Sequence, residues 1–166
     1  MTRIPRFGIA LAAVGVLLAS LRTTGLAANP HCFDVGGAIL TNVGGFGQID
    51  GSLTSMGVAT GDLKGAIGVQ IVGNTPDFTS ITVQHHWVTD TGETLNIGQA
   101  TLKGAYVDQA LGLLGVKEYK AHLSGGSGRF SNASGDLSFM GEIDLNTGHI
   151  VLRYSGVVCE TAAEQR

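Results

Sequence analysis

Residues 125–159 read Gly-Gly-Ser-Gly-Arg-Phe-Ser-Asn-Ala-Ser-Gly-Asp-Leu-Ser-Phe-Met-Gly-Glu-Ile-Asp-Leu-Asn-Thr-Gly-His-Ile-Val-Leu-Arg-Tyr-Ser-Gly-Val-Val-Cys. The stretch opens on a turn in which Gly125, Gly126 and Gly128 tolerate positive φ. Two apolar/polar alternations follow, Leu137 to Leu145 and Ile150 to Val158, joined by Asn146-Thr147-Gly148. Period-two patterning on either side of a short Asn/Gly turn predicts a β-hairpin.

The same period continues upstream. Strands are expected over about Cys32–Leu40, Phe46–Thr54, Val58–Val72, Ser80–Thr89, Thr94–Val107, Val116–Leu123, Asp136–Leu145 and Ile150–Cys159. Turn chemistry separates them at Asn42–Gly45, Gly73–Asp77, Asp90–Gly92 and Asn146–Gly148. The one candidate helical turn, Asp108 to Leu114, is too short to form a packing layer. Eight strands without crossover helices point to an all-β, eight-stranded antiparallel up-and-down barrel, with a two-sheet β-sandwich as the alternative.

The chain begins with a different kind of segment. Arg3 and Arg6 precede an apolar run of 15 residues, Phe7 to Leu21, and Gly25-Leu26-Ala27-Ala28 offers small residues for cleavage. The run is shorter than the roughly 20 residues of a membrane-spanning helix. Residues 1–28 are therefore expected to be a cleaved signal peptide and 29–166 a single barrel domain, secreted or periplasmic. Without Arg3, Arg6 and Arg22 the domain keeps 7 basic against 13 acidic residues. That balance argues against nucleic acid and against an anionic membrane surface as partners. In an exported protein, Cys32 and Cys159 are expected to form one disulfide, which requires the first and last strands to be neighbours.

Alternation also assigns faces. Ile81, Val83, His85 and Trp87 share one, as do Tyr119, Ala121 and Leu123, and Leu152, Tyr154 and Gly156. On the expected lumenal face His85 is a titratable group among apolar ones, able to act as a base or to hydrogen-bond a ligand; it is equally a core histidine satisfied by a neighbour. Trp87, Tyr119 and Tyr154 would line the same cavity, the tyrosines offering hydroxyls to a carbonyl or epoxide, or simply packing it. Gln99, in Leu95-x-Ile97-x-Gln99-x-Thr101, is a further polar candidate. The inward Gly65, Gly141 and Gly156 would leave room for a ligand. His85 and His86 point to opposite faces and cannot share an ion, so no metal site is expected. The outer faces show no obvious large apolar patch.

The Gly125–Cys159 stretch resembles the C-terminal part of the allene oxide cyclase/dirigent-like β-barrel superfamily. It is closest to the small secreted bacterial proteins of that type, which carry a Gly-Gly-Thr-Gly-Arg-Phe-like turn before their last hairpin. His85-His86-Trp87 shortly before Asp90-Thr91-Gly92 is similar to a pattern in the same proteins. The resemblance implies an eight-stranded barrel, oligomeric in most members, that holds an apolar small molecule in its lumen without metal or organic cofactor. It leaves three readings open: a small-molecule-binding barrel, a cofactor-independent cyclase or isomerase with His85 as its polar group, or a structural protein with a filled barrel.

Overall fold

The computed structural model describes residues 30–160. The expected signal peptide lies outside the described residues. Ten strand segments follow one another: β1 (His31–Ile49), β2 (Ser52–Ala59), β3 (Gly65–Asn74), β4 (Ser80–Thr89), β5 (Thr94–Ile97), β6 (Ala100–Asp108), β7 (Leu113–Glu118), β8 (Lys120–Gly126), β9 (Ser134–Asp144) and β10 (His149–Glu160). All pairings are antiparallel. β5 and β6 both pair with β4, and β7 and β8 both pair with β9, so each couple is one strand interrupted in the middle. The ten segments thus make eight staves. β10 pairs with β9 on one side and β1 on the other, so no edge is left. This is a closed up-and-down barrel, and the sandwich is excluded.

Closure juxtaposes Cys32 and Cys159, directly opposite in the β1–β10 ladder and joined by a disulfide. The last hairpin forms where the sequence places it. The first does not. Asn42–Gly45, expected as a turn, lies inside β1, where the register with β2 shifts between Val43 and Gln48. The chain reverses instead at Asp50-Gly51, both at positive φ (49° and 78°), a two-residue turn whose twist matches the flanking strands. A second reversal, residues 60–64, interrupts what reads in the sequence as one strand from Val58 to Val72. Asp108 to Leu114 is not a helical turn: residues 109–112 connect β6 to β7, and its two ends belong to those strands.

The 60–64 connection folds over one end of the barrel. Leu63 is fully buried there. Its N–H donates to the Tyr154 hydroxyl (2.9 Å) and its carbonyl accepts from the Trp87 indole N–H (2.8 Å). Tyr154 in turn donates to the Thr60 carbonyl (2.8 Å) and meets Trp87 edge-on at 5.4 Å. Gly37 lies beneath: a Cβ there would collide with the Thr60 carbonyl and sit 2.7 Å from the Tyr154 ring. Phe130, from a 3-10 turn over Gly128–Phe130, is also fully buried.

Gly65, Gly141 and Gly156 do not make room in the lumen. A Cβ on each would strike the backbone carbonyl of the neighbouring strand, at Val88, Val151 and Asp136 respectively. Their role is close strand approach in a strongly curved wall. The outer surface also departs from expectation. Val151, Leu40, Val58, Ala66 and Val88 pair successively across β10, β1, β2, β3 and β4, forming a continuous exposed apolar row.

Candidate ligand-binding site

The other half of the lumen is open space, a cavity of about 390 Å³. Its walls are Ile39, Ile67, Val83, Leu102, Ile143 and Leu152. Towards solvent it is bounded by Phe78 in the β3–β4 turn and by the β9–β10 turn, Asp144 to Gly148. The volume falls in the range of ordinary small-molecule sites. A more open depression lies outside the wall, over the β5–β6 interruption, lined by Gln84, His86, Asn96 and Ser124 among others. Its buried histidine, His85, is shared with the cavity.

Two interruptions build the polar centre of the cavity. β4 pairs with β5 up to Leu95 and with β6 from Ala100, so opposite His85 the ladder is broken and the Gly98 carbonyl is left without a strand partner. His85 Nδ1 lies 2.8 Å from that carbonyl. Two staves along from β4, Tyr119 occupies the gap between β7 and β8, where its own carbonyl accepts the Phe139 N–H (2.9 Å). Its hydroxyl lies 2.7 Å from His85 Nε2. Both residues are buried, His85 at 4% exposure and Tyr119 at 6%, and both line the cavity. Phe139 closes the cluster, its ring 4.6 Å from that of Tyr119 and 6.1 Å from the imidazole.

The partners fix the protons. A carbonyl only accepts, so Nδ1 carries the hydrogen of the neutral ring. Nε2 is then a lone pair, and the Tyr119 hydroxyl donates to it. Burial holds the His85 pKa below its ordinary 6.5, opposed by the Gly98 bond and reinforced by His86 nearby. Burial likewise raises the Tyr119 pKa. Around neutral pH the centre is therefore an uncharged imidazole and an uncharged phenol.

Further polar groups face the cavity. Ser55, fully buried, donates to the Thr41 hydroxyl (2.8 Å). At the rim, Asp144 accepts from the Thr147 hydroxyl (2.7 Å) and from the Asn146 and Thr147 N–H groups. The Thr147 contacts foremost hold its carboxyl below the usual range, keeping it ionised.

The sequence-derived candidates separate accordingly. His85 and Tyr119 come together. Trp87 and Tyr154 lie in the plug at the closed end, with their polar atoms spent on Leu63 and Thr60, and neither lines the cavity. Gln99 is exposed: the interruption at Gly98-Gln99 shifts the inward phase from Leu95 and Ile97 to Ala100 and Leu102. Thr41 and Ser55 escape a reading that puts a turn at 42–45 and a gap after Thr54. Asp50-Gly51 is the signal that would have placed them. Among the described residues no three His, Cys, Asp or Glu side chains cluster to hold a metal ion.

No family model and no curated protein matches the chain. Among solved structures it is similar to a pterocarpan synthase dirigent protein, at 10% sequence identity and a TM-score of 0.39, over 82% of this chain and 89% of that one.

Proposed function

We propose that this barrel binds an apolar small molecule in its lumen. The observation that carries the reading is the cavity itself: about 390 Å³ of space with mainly aliphatic and aromatic walls and one buried hydrogen-bonded pair. Apolar walls supply affinity through desolvation, and a few fixed polar groups supply orientation. Turnover by a cofactor-independent cyclase or isomerase is the second reading, and only the His85–Tyr119 contact favours it. That contact is weak support for proton abstraction, because burial lowers the basicity of the imidazole that would receive the proton. A structural barrel filled by its own side chains fits the plugged half and not the open half. Native mass spectrometry of freshly purified protein is the test. A co-purifying apolar molecule released chemically unchanged is the expected result. Release of a converted product would favour the cyclase, and failure of any apolar compound to bind would remove both small-molecule readings.

Export to an oxidising compartment, secreted or periplasmic, is part of the same proposal; the Cys32–Cys159 disulfide supports it. Cell fractionation checks it, and recovery in the cytosol would count against it. Self-association is supported by the exposed row through Leu40 and Val58. Light scattering should give a species larger than the monomer, reduced to monomer by Val58→Lys; a wild-type monomer at tens of micromolar would end that proposal.

A further inference from the structure

The protonation pattern at the cavity centre restricts what polar group a ligand can present to it. This rests on the proposed lumenal binding and narrows it to a chemical class. His85 Nδ1–H is committed to the Gly98 carbonyl, which leaves Nε2 able only to accept. The hydroxyl proton of Tyr119 is therefore spent on Nε2 at 2.7 Å. The phenol oxygen keeps its lone pairs, and no group among the described residues donates to it. A tyrosine hydroxyl facing a cavity ordinarily serves a ligand both ways; here it can only accept.

We infer that the lumen selects apolar molecules that carry a hydrogen-bond donor, an alcohol O–H or an N–H, at their buried end, and disfavours those whose buried polar group is a carbonyl, ether or epoxide. This is the opposite of what two free tyrosine hydroxyls would select. A carbonyl oxygen against Tyr119 would face lone pair against lone pair. To be served it must pull the phenol proton away from His85, which leaves Nε2 buried without a partner. An alcohol disturbs nothing: its O–H donates to Tyr119, extending the chain from ligand to Tyr119 to His85 to Gly98, each bond polarising the next. Its oxygen remains free to accept.

Three probes of one skeleton test this: methyl naphthyl ketone, the carbinol formed by reducing it, and the methyl ether of that carbinol. Their affinities for the mature protein are measured by calorimetry or by quenching of naphthyl fluorescence. The carbinol is expected to bind about five- to tenfold more tightly than either of the others. Tyr119→Phe alone would bare Nε2 to the donor, so the double variant Tyr119→Phe/His85→Leu, which removes both acceptors, should abolish the preference and leave the ether unaffected. His85→Leu gives a sharper readout. With no acceptor at position 85, the Tyr119 proton turns into the cavity, and the ketone and the ether should both gain affinity and close the gap to the carbinol. Equal binding of all three by the wild-type protein would overturn the donor selectivity while leaving lumenal binding intact. A ketone preference in the wild type would overturn it too. Failure of all three to bind would take down the selectivity and the lumenal reading together.

Discussion

His85 sits among Tyr119, Phe139 and the aliphatic walls, where charging it costs more than in water. Its pKa is lowered, first by burial, from the ordinary 6.5. The sign of the stability effect follows. The unfolded chain takes up the proton near pH 6.5 and the folded one only at lower pH, so across that interval the unfolded state binds more protons. Stability contributed by the neutral ring is fully present above pH 6.5 and is lost as pH falls towards the folded value. Urea midpoints of wild type and His85→Gln, compared at pH 7.5 and 5.5, should show a steeper loss in the wild type. Parallel loss would mean that position 85 is not the group responsible. Alternation alone places this histidine inward, because residues 81, 83, 85 and 87 keep one phase through an uninterrupted strand. The same logic fails for Gln99, twelve residues after Trp87, because an interruption of the strand resets the phase and nothing in Ile97-Gly98-Gln99-Ala100 except the glycine announces it. Tyr119 lies at the matching break on the neighbouring stave. The dyad therefore arises from two irregularities that periodicity cannot see, and its two members were legible singly but not as a pair.

At the scale of elements the barrel has one closed and one open end, and the 60–64 connection makes the difference. A tight turn there would leave the lumen continuous. Instead Gly61, at φ 84°, lets the chain dip inward, and Leu63 enters the barrel between Trp87 and Tyr154. Leu63→Ala removes a fully buried side chain and should cost about 2–5 kcal/mol, read as a lower urea midpoint. Tyr154→Phe leaves the Leu63 N–H and the Thr60 carbonyl without the hydroxyl that serves both, and should cost roughly 1–3 kcal/mol. Neither residue lines the cavity, so both variants should keep wild-type affinity for an apolar probe. A tenfold loss in Tyr154→Phe with the fold intact would return that tyrosine to the binding site. The plug was not legible in advance because Val58 to Val72 alternates almost without interruption. Leu63 belongs to the inward set by phase, yet it gets there as part of a turn. The last hairpin was legible because Asn146-Thr147-Gly148 marks its reversal in the place where alternation also stops.

For the whole molecule, closure of the β1–β10 seam is what makes a lumen exist, and the seam is held in two ways. Twelve residue pairs run from His31 opposite Glu160 to Asn42 opposite His149, and the Cys32–Cys159 bond crosses near the terminal end of that ladder. The two devices act on different states. The ladder stabilises the folded barrel. The bond, spanning a sequence separation of 127, restricts the unfolded chain and on the chain-entropy model contributes about 4–5 kcal/mol. The Cys32→Ser/Cys159→Ser double variant should therefore still fold, with unchanged β-sheet circular dichroism at ambient temperature. Its thermal midpoint should fall by on the order of 10 °C. Because the bond sits beyond the plug and far from the mouth in Asp144–Gly148, a folded double variant should still bind an apolar probe with wild-type affinity. Loss of binding with the sheet signal intact would show that the seam opens without its covalent clasp, which would make the disulfide a condition of the cavity rather than of stability alone.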